Sequence, residues 1–272
     1  MNSDNIIQLP AYDDLLYEVD QLRGELARRI QERDELRYLL LAEIEGEYLR
    51  RVGSLEYRVC EAKCESQRLK RKIELVQAAL NRREKPDLSR IERRLDLEFA
   101  EALHSLEDQE EKIRKAEYTS EMQRSATSFR RDVTGELYRT IVMFLHPELN
   151  PEANDAEQQL FYLAVTAYKN EDLDALRVIY EMLGQRMPPA QSRSGVKKLC
   201  REKERLESSL RSVKEELTQL RSEYPYTLRE LLADPGRLAG RKAELNALLS
   251  QLKMTNALYR ARIGKMLSGR TD

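Results

Sequence analysis

A long stretch of the chain repeats apolar residues in alternating steps of four and three positions, and this repeat restricts the fold more than any other feature. The positions are Tyr48, Val52, Leu55, Val59, Ala62, Ser66, Leu69, Ile73, Val76 and Leu80. All but Ser66 are apolar, which predicts a helix with one continuous apolar stripe. Such a stripe needs a partner helix, either from this chain or from a second copy in a homodimer.

The segment 81–89 predicts a tight turn at the end of this helix. Pro86 breaks the helix, and either Asp87 or Ser89 can cap the next one, since Ser89 and Glu92 have the spacing of a capping box. A second apolar stripe follows and consists of Ile91, Leu95, Phe99, Ala102 or Leu103, Leu106, Ile113 and Ala116. Two stripes joined by a tight turn predict an antiparallel helical hairpin, which we place at residues 11–130.

The remaining flanks also show helical patterns. Residues 1–10 are expected to form a flexible tail, and residues 187–195 have the composition of a linker. A second coiled-coil segment is predicted at 196–268, with an elbow at 224–226 where a proline lies between two tyrosines. Its last helix carries two apolar faces, one of which includes Leu258, and this pattern predicts packing between two neighbours.

Composition narrows the class of protein. Charged residues make up 35% of the 272 residues, as in proteins with long exposed helices, and the formal net charge is only −1. The basic runs, such as Arg82-Arg83, are short and lie beside acids, so no nucleic-acid partner is expected. No apolar run reaches the roughly 18 residues that a membrane helix needs. We therefore expect a cytoplasmic protein that has no membrane partner.

Neither a metal site nor an active site is predicted. Cys60 and Cys64 lie one helical turn apart while Cys200 is remote, and the only histidines are His104 and His146. A zinc site needs four ligands with closer spacing. The sequence also lacks a glycine-rich phosphate loop and the G-x-S-x-G motif. We expect no catalytic residues, no metal and no cofactor, and therefore not an enzyme.

The centre of the chain predicts a small helical unit at 131–186. One helix ends at Pro147, because a proline disfavours the helical conformation of the residue before it. Asn154 and Glu157 predict a capping box at the start of the next helix, and Asn170 is expected to cap a third. Gly184 is the expected end of that third helix.

Short motifs in this unit resemble the second and third helices of a J-domain, the DnaJ-like family. They are Leu137-Tyr138-Arg139, His146-Pro147-Glu148, Asn150-Pro151, Phe161 and Ala167-Tyr168, and they cover less than a fifth of the chain. The resemblance implies that this loop couples the ATPase of a DnaK-type chaperone to client capture. It also implies the residues that contact the chaperone: His146, Pro147, Glu148, Arg139 and Asn150.

The unit departs from the family pattern in four respects. Glu148 replaces the family's aspartate, which moves the carboxylate by one methylene. The helix before the loop keeps Arg139 but has Thr140 and Phe144 at positions that are commonly lysine. Residues 131–186 hold five basic and ten acidic side chains, giving 5 − 10 = −5, so an acidic face of the chaperone would be repelled. The family's first-helix motif is absent.

Together these patterns predict an all-α protein in which long antiparallel coiled-coil helices frame a small J-like helical unit. One functional hypothesis is a non-enzymatic J-like co-chaperone or adaptor. Its J-like unit would contact a DnaK-type chaperone weakly, while the coiled coils hold a client or protein partner. The alternative is a structural, scaffolding coiled-coil protein whose J-like unit no longer stimulates a chaperone ATPase.

Overall fold

The structure is a computed structural model that describes residues 10–123, 128–183 and 195–269, and every regular element within these ranges is helical. The predicted all-α class is therefore confirmed. The α-helices are α1 Pro10–Glu35, α2 Leu41–Tyr48, α3 Ser54–Asn81, α4 Leu88–Glu98, α5 Ala100–Gln123, α6 Ser128–Leu145, α7 Asp155–Lys169, α8 Leu173–Leu183, α9 Val196–Ser222, α10 Leu228–Ala233 and α11 Pro235–Leu267. Two π-helical segments, Leu36–Leu40 and Leu49–Gly53, flank α2.

The chain divides into two compact units, each assembled from segments that are remote in sequence. Unit 1 comprises Met1–Glu43 and Arg124–Thr227, and unit 2 comprises Ile44–Gln123 and Leu228–Asp272. Both the segment predicted as one hairpin, 11–130, and the segment 196–268 contribute to the two units. Spatial units therefore do not follow the linear order of domains that the sequence patterns predict.

In unit 1 the long helices α1 and α9 pack side by side and run parallel. Ion pairs join Arg23 to Glu202 at 3.1 Å and Arg37 to Glu216 at 3.0 Å, so the two helices advance in the same direction. The shorter helices α6, α7 and α8 pack on one another, and α6 also packs on α1. One apolar core links all five helices; its fully covered side chains include Leu26, Ile30, Tyr138, Ile141, Leu176 and Leu206.

In unit 2, α3 forms an antiparallel hairpin with α4 and α5, and the last helix also packs on α3. Arg68 of α3 pairs with Glu92 of α4 at 2.9 Å, and Arg50 donates to the carbonyl of Ala116 in α5 at 3.3 Å. The return is therefore antiparallel, with a break at Phe99 between α4 and α5. The last helix, α11, instead runs parallel to α3, since Arg241 pairs with Glu56 and Arg260 with Glu65.

Local signals in the sequence set several helix ends. The side chain of Asp87, rather than Ser89, caps α4 by accepting from the Arg90 N–H at 3.0 Å. Asn154 and Glu157 form the predicted capping box of α7. Asn170, however, is the C-cap of α7. The N-terminal cap of α8 is Asp172, whose side chain accepts from the Ala175 N–H at 3.0 Å.

Two further predictions concern segments between helices. Gly184 and most of the predicted linker lie outside the described residues, as does the N-terminal tail up to residue 9. The predicted elbow separates α9 from α10, and there Tyr226 packs on the core of unit 1 while Tyr224 is exposed. Within the described ranges, no helix has both the length and the apolar character required to cross a membrane.

Candidate functional site

The loop between α6 and α7 is a closed turn with its own hydrogen bonds. The N–H of His146 donates to the Val142 carbonyl at 3.0 Å, which completes the last turn of α6. The His146 carbonyl then accepts from the N–H groups of Leu149 and Asn150, each at 2.9 Å. Pro147 ends the helix as the sequence predicts, and the backbone is fixed locally before any other helix contacts it.

His146 lies inside this turn. Its ring is 7% exposed and meets the ring of Phe161 edge-on, with the centroids 5.0 Å apart. The Nδ1 atom accepts a hydrogen bond from the Glu148 N–H at 3.1 Å. Burial, helped by the nearby positive charge of Arg33, lowers the pKa of His146 to about 4. A neutral, buried histidine that accepts from the backbone holds the turn in shape and is withdrawn from an external partner.

The side chain of Glu148 is also partly buried in unit 1. Its residue is half-buried, and the carboxylate atom Oε2 is buried with no hydrogen-bond partner among the described residues. Burial raises the pKa of Glu148, and the positive charge of Arg33 opposes that rise. The backbone carbonyl of the same residue accepts from the Arg205 guanidinium of α9. The acid of the His-Pro-Glu motif therefore faces other parts of unit 1.

Three side chains from α1 and α9 hold the loop, and we call Arg23, Glu202 and Arg205 the loop clamp. Arg23 donates to the carbonyl of Leu149 at 2.7 Å and to Oδ1 of Asn150 at 3.2 Å. Glu202 lies between the two arginines, 3.1 Å from Arg23 and 2.7 Å from Arg205, so it offsets one of their two positive charges. Guanidinium groups bonded to both carbonyl and carboxylate oxygens have fixed orientations.

The side chain of Asn150, another predicted site residue, also forms its hydrogen bonds within unit 1. Its Nδ2 donates to the carbonyl of Met143 at 3.0 Å, which ties the far end of the loop back to α6. Its Oδ1 accepts from Arg23. Both ends of the amide are therefore used inside unit 1.

The other two predicted site residues differ from these three. Pro147 is exposed. Arg139, on α6, is half-buried and forms no hydrogen bond or ion pair within the described part of the chain. The structure thus gathers His146, Glu148 and Asn150 into one bonded loop and leaves Pro147 and Arg139 without such a role.

A second polar cluster lies between α1 and α6, and the sequence reasoning missed it. The Tyr138 hydroxyl donates to Oδ2 of Asp34 at 2.7 Å, and the Arg33 Nε donates to Oδ1 at 2.9 Å. The Tyr138 ring stacks on Tyr168, with centroids 4.0 Å apart and planes 8° from parallel. Burial, together with the Asp34 charge, raises the pKa of Tyr138. The available signal was Asp34, an acid between the buried apolar residues Ile30 and Leu36.

A cavity of about 600 Å³ opens beside the loop clamp. Its lining combines the polar groups of Arg23, Asn150 and Glu202 with the apolar side chains of Phe144 and Leu183. The polar lining groups already bond to one another or to the loop. Across the described ranges, no group of three or more His, Cys, Asp or Glu side chains could hold a metal ion. The cysteines Cys60, Cys64 and Cys200 are free thiols.

These geometries describe a loop that is stabilised by its own helices. The arrangement can fix the orientation of α6 and α7 relative to α1 and α9. It offers no nucleophile with an adjacent base. No protein-family model matches the chain, and comparison with curated proteins and with solved structures finds no match.

Proposed function

We propose that this chain is a non-enzymatic scaffold or adaptor in which the J-like unit is a structural module that does not stimulate a chaperone ATPase. The observation that carries the proposal is the loop clamp: Arg23 and Arg205 bind the carbonyl oxygens of Leu149 and Glu148. Since these arginines come from α1 and α9, the helices that flank the unit occupy the loop. A chaperone would have to displace them to bind it.

The charges support the same conclusion. A DnaK-type partner with an acidic face needs a basic surface, but residues 131–186 carry a net charge of 5 − 10 = −5. Arg23 and Arg205 do not compensate, because together with Glu202 they add only 2 − 1 = +1. Arg33, whose positive charge acts on Glu148, pairs with Asp34 at 2.9 Å.

The adaptor role requires a surface for a partner, and the J-like unit has exposed apolar side chains. Tyr162 and Leu163 of α7 are 65% and 60% exposed, and Val178 and Met182 of α8 are 57% and 63% exposed. Because the unit is acidic, the partner chemistry that fits is a basic segment with apolar residues. Free cysteines, two of them exposed, fit a reducing compartment such as the cytoplasm.

A chaperone ATPase assay tests the proposal. We expect the full chain to leave the ATP hydrolysis rate of a DnaK-type chaperone unchanged, with an authentic J-domain protein as the positive control. Glu148→Asp restores the family's acid but leaves the clamp in place, so we expect no stimulation from it either. Stimulation by the wild-type chain that disappears in Pro147→Ala would overturn the proposal. Pro147 is exposed, so its replacement leaves the core of unit 1 intact.

A second candidate function, a weak J-like co-chaperone, is favoured by one observation. Pro147 is exposed, and Arg139 has no partner within the described residues, so both remain available to another protein. If this function holds, Arg139→Ala lowers the stimulation seen with the wild-type chain. The matched control is Arg177→Ala, which removes an exposed arginine of α8 from the same unit.

A further inference from the structure

The last helix, α11, has a buried face and an exposed apolar face. The buried face packs on α3 through Leu245, Leu249, Asn256 and Ile263. Exposed residues on the opposite side form what we call the outer face: Gly240, Ala243, Ala247, Gln251, Met254, Leu258 and Ala261. Met254 and Leu258 are each 69% exposed. The prediction that Leu258 shares a second apolar face with Leu249, Ile263 and Leu267 was wrong: Leu249 and Ile263 are buried with Leu245, whereas Leu258 lies on the exposed side. No described element covers the outer face.

Between Gly240 and Ala261 the outer face carries no charged residue although α11 is rich in them; Lys265, one turn further on, is the first charge in line with it. A helix face that remains in water normally carries charged residues. Here Arg241 and Arg260 lie beside α3, where they pair with Glu56 and Glu65. The first charges at the edges of the outer face are Glu244 near its start and Arg262 near its end, and both are exposed.

We propose that the outer face of α11 binds the same face of a second copy of this chain, with the two helices antiparallel. Glu244 and Arg262 are 18 residues apart, which is about five helical turns, so both lie on the same edge of the face. In an antiparallel pair related by a twofold axis, an edge meets the same edge of the other helix. Glu244 of each copy therefore meets Arg262 of the other.

The same two residues favour the antiparallel orientation over the parallel one. In a parallel pair related by a twofold axis, each edge of the face meets the opposite edge of the other helix. Glu244 and Arg262 then no longer face each other across the contact, so the parallel pair lacks these two ion pairs. Glu244 already has one contact, with Arg241 of its own helix at 3.7 Å, but both side chains are exposed. Contacts of that kind contribute little and exchange readily.

The small residues of the face suit close approach of two helices. In the register set by Glu244 and Arg262, Ala247 of one copy lies level with position 259 of the other, so it leaves space for Leu258, and the two Met254 side chains lie near the twofold axis. Only two large apolar side chains contribute from each copy, so the association is weak. The expected species is a dimer that forms as the protein concentration rises.

Sedimentation equilibrium of the full chain under reducing conditions tests the proposal. The mass should rise from the 31.8 kDa monomer toward twice that value as the concentration increases. The transition should fall between roughly 10 µM and 1 mM, the range for a small interface. Leu258→Glu should keep the chain monomeric over this range. The matched control is Leu97→Glu on α4, where the leucine is 80% exposed and lies off the face.

A charge exchange tests the orientation and the identity of the partner. Glu244→Arg and Arg262→Glu should each weaken the dimer by about tenfold, because each creates like-charge contacts. The double variant Glu244→Arg/Arg262→Glu should restore the wild-type affinity, which only self-association through opposite ends of the face predicts. A chain that stays monomeric throughout, or equal effects of Leu258→Glu and Leu97→Glu, overturns the dimer. Failure of the double variant to recover overturns the antiparallel orientation.

Discussion

The two parallel helix pairs, α1 with α9 and α3 with α11, are built alike but are covered differently. Both pairs have apolar residues between the helices and ion pairs along the edges. In unit 1 the short helix α6 packs on α1, and side chains such as Leu26, Ile30 and Leu206 are fully buried. In unit 2, α4 and α5 pack on α3, and Val76 and Leu95 are fully buried, but the outer face of α11 is exposed. The comparison teaches that a pair of long helices forms a core on the side where further helices pack on it and stays exposed on the other side.

Two buried polar groups, Asp34 in unit 1 and Asn256 in unit 2, differ in how completely they are hydrogen-bonded. In unit 1, Asp34 is satisfied on both sides, by Arg33 and by Tyr138. In unit 2, Asn256 is 2% exposed and donates to the Ala62 carbonyl at 2.9 Å, but its Oδ1 has no partner among the described residues. A fully bonded polar cluster rigidifies a core, whereas an unsatisfied atom costs stability.

The largest expected effect on stability comes from breaking the hydrogen-bonded cluster of Arg33, Asp34 and Tyr138 in unit 1. Asp34→Ala leaves Arg33 and Tyr138 buried without their partner, and we expect a loss of about 4 kcal/mol in the free energy of unfolding. Urea unfolding followed by circular dichroism measures it. The control is Glu25→Ala, which removes an exposed pair at 2.9 Å between α1 and Lys214 of α9 and should cost at most about 1 kcal/mol. Similar losses for both variants would contradict the proposed role of the cluster.

Truncating an apolar side chain in each pair tests the difference in coverage. Leu26 is fully buried in unit 1, so Leu26→Ala should lower the free energy of unfolding by about 3 kcal/mol through the cavity it leaves. Leu258→Ala on the outer face should change it by about 0.5 kcal/mol or less at low protein concentration. The same unfolding experiment compares them. Equal losses would mean that the outer face of α11 is covered within one chain.

The pH dependence of stability tests the burial of His146. The pKa of His146 is about 4 when folded, against an ordinary value of 6.5, so the unfolded chain binds this proton first as the pH falls. Stability is therefore lost between about pH 6.5 and pH 4, by up to about 3 kcal/mol. His146→Gln should flatten this part of the stability profile.

Two variants control the pH experiment. His104 is exposed on α5, so His104→Gln should leave the profile as it is in the wild type. Glu148 acts with the opposite sign, because its raised pKa makes the folded chain bind that proton first and adds stability as the pH falls. Glu148→Gln should therefore steepen the loss. A profile that His146→Gln does not change would contradict the burial of this ring.

The smallest expected effect concerns Asn256. Asn256→Leu removes an unsatisfied oxygen and two donated hydrogen bonds, and Glu65 keeps its pair with Arg260. We expect the free energy of unfolding of unit 2 to stay constant or rise by about 1 kcal/mol. The change in the urea midpoint measures it. A clear loss of stability would show that Asn256 contributes more than its two visible hydrogen bonds.

Much of the local structure could be predicted because it depends on neighbours in the sequence. Pro147 ends α6, Asn154 and Glu157 form a capping box, and the turn after α3 lies where Pro86 predicts it. The exception, Asn170, shows the limit of such rules. Asp172 lies two residues later and can also cap a helix, and the chain turns at Glu171, which has a φ of 51°.

The site itself could be predicted only in part. The sequence identified the loop and the residues His146, Glu148 and Asn150. It did not identify Arg23 or Arg205, which lie 126 and 57 positions from the carbonyls they bind. Each is one of many arginines on polar helix faces, so no local pattern distinguishes it.

The sequence by itself determined the helices, their ends and their apolar stripes, because capping and periodicity depend on residues within about one or two helical turns. Only the tertiary structure decided which stripes meet, that α9 and α11 run parallel to α1 and α3, and that the loop between α6 and α7 is bound by α1 and α9. The physical reason is that apolar burial is non-directional. An apolar stripe indicates that a helix needs a partner helix, whereas long-range contacts select that partner and its direction.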